Sequence, residues 1–441
     1  MARIVAFEPQ PKWGSIIAAV SIAFICLVTL APGAPDAVAE ARSCQPWCDD
    51  PLVADFVRNI VLFAPMGFGL RLAGVRPRWA ILAGAVLSAT VELLQIRVIV
   101  GRDASVHDWI SNTLGTMAGV GIADQLRAIL LPSPRSALRL TICGLVAWVV
   151  ILVLGAWGIQ PAPTQFPFWG QRTPRLRQYP PFRGELLTGR LNGVELPSAR
   201  LSNDEGIRAP LRAGRAQIDA VVRPGPPSPP TEIAPILRVA DGTLREILLL
   251  GRSNKELVVR YRLKATSLRL ETPAFALARA FTVARDMDGE ELEAPESLSV
   301  ILDRGRLTLL AHHQRETRRQ TFDLTAASAW SFFLPWDYWY GPNAAFLSLL
   351  WLGALLLPAG YWGARAAGER RARWTALAVA IMIVPATLDL LPHAFPLAPT
   401  KASQFIAALG GFAGGWILAA LIDRGQRPNA VTPGGVALPN D

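Results

Sequence analysis

The chain has 441 residues, 51% of them hydrophobic and 18% charged, with a formal net charge of +10. That balance, together with a positive mean hydropathy, excludes an ordinary soluble globular protein and implies a multi-pass membrane protein. The positive charge is mostly Arg, since Lys occurs only at Lys12, Lys255, Lys264 and Lys401; it is spread along the chain with no basic block, so no nucleic-acid partner is expected.

The first apolar run lies near 14–32. The stretch "AFICLVTLAPGAPDAVAEA" also has the form of a signal-peptide core followed by small residues, but the run is long for such a core, and a retained helix is expected. A loop rich in Asp and Glu follows, holding Cys44 and Cys48 in "SCQPWCDD". An oxidising compartment would favour a disulfide between them, with two free thiols as the alternative. No His or third Cys is near, so no metal is expected there. Cys26 and Cys143 fall inside apolar runs and read as packing residues.

Further runs able to cross a bilayer core of roughly 30 Å lie near 56–74, 79–97, 108–131 and 139–158, then near 343–362, 375–391 and 403–422. The run 375–391 is the weakest, broken by Pro385 and carrying Asp389. Alternate ends of these runs collect Arg and Lys, from Arg3 and Lys12 through Arg76, Arg78, Arg135 and Arg371 to Arg424 and Arg427. By the positive-inside rule those ends are cytoplasmic, which puts both termini inside and residues 160–341 outside. Arg97 and Arg102 break the rule, which points to a local role for them.

The second, third and fourth runs place their polar groups at one depth, in the outer leaflet or its interface. Asp55, Arg58 and Asn59 open the second, Glu92 and Gln95 close the third, and Asp108 and Asn112 open the fourth, with Arg102 in the link before it. Asp108, Asn112, Gly115 and Gly119 share one helical face, as do Ser88, Glu92 and Gln95, and as do Asp55 and Asn59. Facing lipid would cost several kcal/mol for each ionised group, so these faces are expected to meet. Arg58 and Arg102 are the available cations, and an Arg fork suits a carboxylate or a phosphate. The cluster can be a site, or a buried network that only locks three helices together.

From about 160 the texture changes. A Pro-rich linker is followed by short alternating runs: "GELLTGRLNG", "AQIDAVVRP", "REILLLG", "KELVVRYRL", "SLRLET", "ESLSVIL", "RLTLLAHH" and "RQTFDL". Gly, Asn, Asp and Pro turns separate them, the pattern of an all-β sandwich. In "KELVVRYRL", Leu257, Val259, Tyr261 and Leu263 should share one face, opposite Val258, Arg260 and Arg262. His312 and His313 are expected as exposed strand residues. Trp330, Trp336, Tyr338, Trp339 and Tyr340 cluster before the sixth run, as an interfacial anchor or, alternatively, a sugar-stacking platform.

The fold expected is therefore an α-helical multi-pass membrane protein of about eight spans with an inserted all-β extracytoplasmic sandwich. Its domains are a five-span unit at 1–159, the sandwich at 160–341, a three-span unit at 342–424 and a cytoplasmic tail at 425–441.

Two resemblances add to this reading. The hairpins "LLLGRSNKELVVRYR" and "VILDRGRLTLLAHHQRETRRQTFDL" give the segment a strand order that resembles concanavalin-like, laminin-G-type jelly rolls, a fold whose members often bind glycans. No calcium or sugar site carries over by residue, and the segment's charge, 25 basic minus 20 acidic or +5, selects no ligand. The motifs "DFVRNIVLFAPMGFGL", "SATVELLQ" and "GRDASVHDWISNTLGTMAG" resemble the VanZ-like membrane family, matching at Asp55, Asn59, Phe63, Pro65, Gly67, Glu92, Gln95, Arg102, Asp108, Asn112, Gly115 and Gly119 over about 50–130. The namesake of that family is associated with glycopeptide resistance.

The resemblance implies a bacterial cell-envelope protein of the inner membrane. Its sandwich would bind an envelope glycan or a protein partner, and its polar cluster would engage membrane lipid at the headgroup. The alternative is an enzyme or carrier acting on a lipid-linked anionic precursor, with Arg58 and Arg102 on the anion and Glu92 or Asp108 as acid or base. No Ser-His-Asp set, zinc-ligand spacing or phosphate loop is present, and no cofactor is expected. A transporter is a third reading, though no inverted repeat supports it.

Overall fold

The computed structural model describes residues 11–31, 53–99, 105–162, 164–176, 179–201, 204–230, 232–281, 284–285, 291–292, 295–313, 316–333, 339–341, 343–366 and 370–425. Cys44, Cys48, Arg102, Trp336 and Tyr338 lie outside them. The chain divides into two compact units, one of residues 1–131, 155–344 and 394–398, the other of 132–154, 345–393 and 399–441.

The first unit begins with four long helices: α1 (Pro11–Thr29), α2 (Val53–Leu72), α3 (Pro77–Arg97) and α4 (Val106–Leu130). Pro77 opens α3 at a position that needs no backbone N–H. Ser105 caps α4, its hydroxyl accepting from the His107 N–H at 3.1 Å. A fifth helix, α5 (Pro134–Gly158), passes its last turn to this unit.

Glycine lets α2 approach α4. A Cβ on Gly67 would overlap the Thr116 carbonyl, and one on Gly119 would overlap the Ala64 carbonyl. A Cβ on Gly115 would overlap the Ile60 backbone, somewhat less closely. Side chains of ordinary size would push the two backbones apart, so the small residues set the spacing. α1 joins in the same way, with Gly69 against Ala18 and Gly14 against Ala73. Ile25, Phe63 and Met66 form a buried cluster between α1 and α2.

The rest of this unit is two six-stranded sheets. One has the order β1 (Trp169–Arg172), β5 (Ala234–Ala240), β6 (Glu246–Ser253), β7 (Glu256–Tyr261), β8 (Ala274–Leu277) and β14 (Trp339–Tyr340). The other has the order β13 (Glu316–Asp323), β12 (Arg306–His313), β11 (Glu296–Asp303), β4 (Arg215–Arg223), β2 (Glu185–Leu191) and β3 (Val194–Glu195). Both are antiparallel except for the β8–β14 pair. A two-stranded pair, β9 (Ala284–Arg285) and β10 (Glu291–Leu292), and a short helix, α6 (Asp204–Arg212), complete the segment. The arrangement is sandwich-like. Gly189 of one sheet sits on Leu237 of the other, and Phe275, Phe322 and Tyr340 meet with ring centroids 5.3–5.8 Å apart.

Both expected hairpins form. β6 and β7 turn through Asn254-Lys255, and β11 and β12 through Arg304-Gly305. Arg304 and Gly305 both have positive φ, 43° and 76°, as a two-residue hairpin matching strand twist requires. β7 buries Leu257, Val259 and Tyr261 as expected, but Val258 is buried too, so both faces of that strand are covered. "SLRLET" is not a strand. Lys264–Leu268 is a 3-10 helix ended by Arg269 in the left-handed region, φ 56°. Strands β1, β5 and β8 and helix α6 fall where no element is expected from the sequence.

Trp330 and Tyr340 are buried and stacked at 5.7 Å, not displayed as an anchor or a platform. Trp330 belongs to a 3-10 helix, Ala326–Phe333, buried through Phe332. Gly155 of the last α5 turn faces Ala329, and Gly158 faces Phe332. The β segment is therefore seated directly on helix ends of its own unit.

The second unit holds most of α5 together with α7 (Ala344–Arg365), α8 (Arg370–Ala394) and α9 (Ala402–Gly425). Gly360, Gly411 and Gly415 bring α7 and α9 backbone to backbone, and Arg365 bonds Asp423 at 2.7 Å.

Among the described residues, seven helices are long and apolar enough to cross a membrane, by length and composition. The eighth expected span is α4, a 25-residue helix that is not among those seven. Ser111, Asn112 and Thr116 lower its apolarity, and all three are buried.

Candidate functional site

The cluster is built on helix ends. Asp55, Arg58 and Asn59 stand in the first turns of α2. Arg58 pairs with Asp55 one turn back, and its Nη2 also reaches Oε1 of Glu271 at 3.5 Å. Glu271 belongs to the β segment, between the Lys264–Leu268 turn and β8, where its N–H bonds the Phe332 carbonyl at 3.0 Å. Its side chain is only 3% exposed, against 27% for Arg58. Burial pushes the Glu271 carboxyl above its ordinary value, and the Arg58 charge pulls it back.

Asn59 Nδ2 donates to Asp108 Oδ1 at 2.8 Å, joining α2 to α4. One turn deeper, Asn112 Nδ2 donates to the Ser88 hydroxyl at 2.9 Å, joining α4 to α3 with both residues buried. Glu92 Oε2 accepts from the Ser105 N–H at 2.8 Å, so the end of α3 satisfies one of the unpaired amides that open α4. Gln95 turns the other way, its Nε2 donating to the Thr29 carbonyl at the end of α1, 3.0 Å. At the opposite end of the α2–α4 pair, Arg71 bonds Asp124 at 2.6 Å.

Seven of the eight expected site residues thus lie among the described residues. They form a relay of pairwise contacts across four helices, not a single knot. Asn59 and Asp108 tie α2 to α4, and Arg58, paired with Asp55 on its own helix, ties α2 to the β segment, while Glu92 and Gln95 tie α3 to the α4 cap and to α1. The residue the sequence does not flag is Glu271. It sits in a run of strand-like composition, and nothing local marks a carboxylate that meets an arginine 213 positions away.

Three polar atoms of this cluster are buried without a hydrogen-bond partner among the described residues: Arg58 Nη1, Glu271 Oε2 and Asn112 Oδ1. Such atoms cost free energy when unpaired, so they are where a polar ligand gains most. No group of three or more His, Cys, Asp or Glu among the described residues is placed to hold a metal ion. His312 is exposed and bonds Thr317 at 2.7 Å, and His313 lies 3.3 Å from buried Glu296.

Helices of span length joined to a two-sheet β segment define a multi-helix membrane protein with a β domain. Residues 12–128 match the family model VanZ/LLP1, so the helical part that carries the cluster, though not Glu271, is VanZ-like. The match begins at α1, earlier than the motifs alone indicate, in keeping with the packing of α1 on α2. Comparison with curated proteins and with solved structures finds no match.

Proposed function

We propose that this chain is a bacterial cell-envelope protein of the cytoplasmic membrane whose polar cluster engages a lipid headgroup at the outer leaflet. On this reading both termini are cytoplasmic. The extracytoplasmic β domain, of laminin-G-like jelly-roll type, receives an envelope glycan or a protein partner. The observation that carries the proposal is the set of three buried polar atoms, without a hydrogen-bond partner among the described residues, in a cluster that joins the VanZ-like helices to the β domain. A headgroup offers both donors and acceptors to such atoms.

The arrangement favours binding over catalysis. In the enzyme or carrier alternative Arg58 and Arg102 hold the anion, yet the Arg58 charge already answers two carboxylates, Asp55 and Glu271. Glu92 is engaged by the α4 cap instead of standing free as an acid or base.

Two variants test the reading. Glu92→Gln and Arg102→Ala in the full chain should leave the thermal midpoint near that of the parent while lowering retention of phosphatidylglycerol through purification. If both retain lipid as the parent does, or lose it only in proportion to lost folding, the cluster is a structural lock. A periplasm-active reporter fused at exposed Gly242 should be active; activity of a cytoplasm-specific reporter there would reverse the orientation.

A further inference from the structure

One end of the β domain carries both apolar and basic side chains that no role above uses. Strand β7 ends against the exit of α5. The Lys264 N–H bonds the Gln160 carbonyl at 2.7 Å, the Ala162 N–H bonds the Arg262 carbonyl at 3.0 Å, and Pro161 bridges to Leu263. The Lys264 ammonium lies 5.9 Å from the centre of the Trp157 ring. α5 has 25 residues, so it is about 37 Å long against a bilayer core of roughly 30 Å. Arg135 and Arg139 mark the cytoplasmic start of this helix, so on the membrane-spanning reading its last turn, with Trp157, is the end at the outer headgroup level, and the backbone bonds hold residues 262–264 beside it.

The neighbouring β5–β6 turn, Asp241–Arg245, shares this end, since the Arg262 N–H bonds the Ile247 carbonyl at 2.8 Å. Its tip, Leu244, is 60% exposed, and Leu268 on the 3-10 helix is 48% exposed. Each leucine is followed in sequence by an arginine, Arg245 and Arg269, both exposed. Asp241 accepts from the Thr243 and Arg245 N–H groups and the Thr243 hydroxyl, and Glu246 pairs with Arg260 at 2.7 Å.

We propose that the Leu244 and Leu268 turns, with Arg245, Lys264 and Arg269, form a lip that docks the β domain on anionic phospholipid of the bilayer the chain itself spans. The leucines enter the acyl boundary while the basic groups meet phosphates, the pattern of an interfacial anchor. The lip uses none of the cluster residues. It rests on the membrane-spanning reading, not on a headgroup bound in the cluster.

The test is hydrogen–deuterium exchange on the full chain in nanodiscs of phosphatidylcholine alone or of equal parts phosphatidylcholine and phosphatidylglycerol. Peptides covering 241–247 and 262–270 should exchange about fivefold more slowly in the anionic discs, the factor one basic residue contributes at such a surface. High salt should release the protection in the unaltered chain. The Arg245→Gln, Lys264→Gln, Arg269→Gln variant should lose it, with exchange over 306–313 unchanged as the check on folding. Glu92→Gln should keep it, which separates this surface from the cluster. Equal exchange in the two discs, slowing that spreads to 306–313, or protection that survives salt would overturn the proposal.

Discussion

Replacing Arg58 by Ala should destabilise the full chain by about 3–5 kcal/mol, the usual cost of leaving one partner of a buried ion pair uncompensated. The loss falls mainly on Glu271, whose side chain is 3% exposed and whose Oε2 has no other partner among the described residues. Asp55 is half-exposed and can be answered by water. The loss should grow with pH. Burial holds the Glu271 carboxyl above its unfolded value, so the folded state binds that proton more tightly than the unfolded state does. The contribution favours folding below the unfolded value and is lost as pH rises through the folded one. Without Arg58 the folded value climbs further, and the window extends to higher pH. Thermal midpoints in mild detergent across a pH series read both effects. A variant as stable as the parent at every pH would remove the ion pair from the account.

Gly119→Val should damage the protein on a similar scale, through packing instead of charge. A Cβ at Gly119 would overlap the Ala64 carbonyl and crowd the Phe68 N–H, both rigid backbone. α2 and α4 would have to separate, stretching the Asn59–Asp108 contact with them. Overpacking typically costs about 1–3 kcal/mol and more where the obstacle cannot move. Gly67→Val meets the Thr116 carbonyl from the other helix and should behave alike. Gly121 supplies the control, since a Cβ there meets nothing within 4 Å, and Gly121→Ala should be neutral or slightly stabilising. Yield of monodisperse protein and its thermal midpoint measure all three. Equal loss at Gly121 would show a general intolerance of this helix and not a close approach.

What could be read from the sequence followed from periodicity and from spacing. Asp108, Asn112, Gly115 and Gly119 lie four, three and four residues apart, so their common face was visible, and Asn112, Gly115 and Gly119 are buried on it. The β6–β7 and β11–β12 hairpins were visible because their turns carry Asn-Lys and Arg-Gly between alternating runs. Other elements depend on partners distant in the chain. "APILRVA" shows no alternation, its apolar residues broken only by Arg238, and it becomes β5 between the neighbouring strands β1 and β6. "SLRLET" alternates like a strand, yet its first two residues close the Lys264–Leu268 3-10 helix, whose start is bonded to the α5 exit, and Arg269 in the left-handed region breaks the run. Glu271 belongs to this second class, a site residue defined by a contact across 213 positions. The span count sits between the two. α4 has the length of a span, but its polar residues are buried among neighbouring helices, so apolarity alone does not identify it.

Through Arg58 and Glu271 the β domain meets the VanZ-like helices in a polar contact. A double-mutant cycle on Arg58 and Glu271 tests it most directly, using thermal or denaturant stability of the full chain with Arg58→Ala, Glu271→Gln and the pair. The expected coupling is about 1–3 kcal/mol, with Glu271→Gln recovering much of what Arg58→Ala loses. Losses that add to within about 0.5 kcal/mol would mean the two residues act independently, and would contradict it.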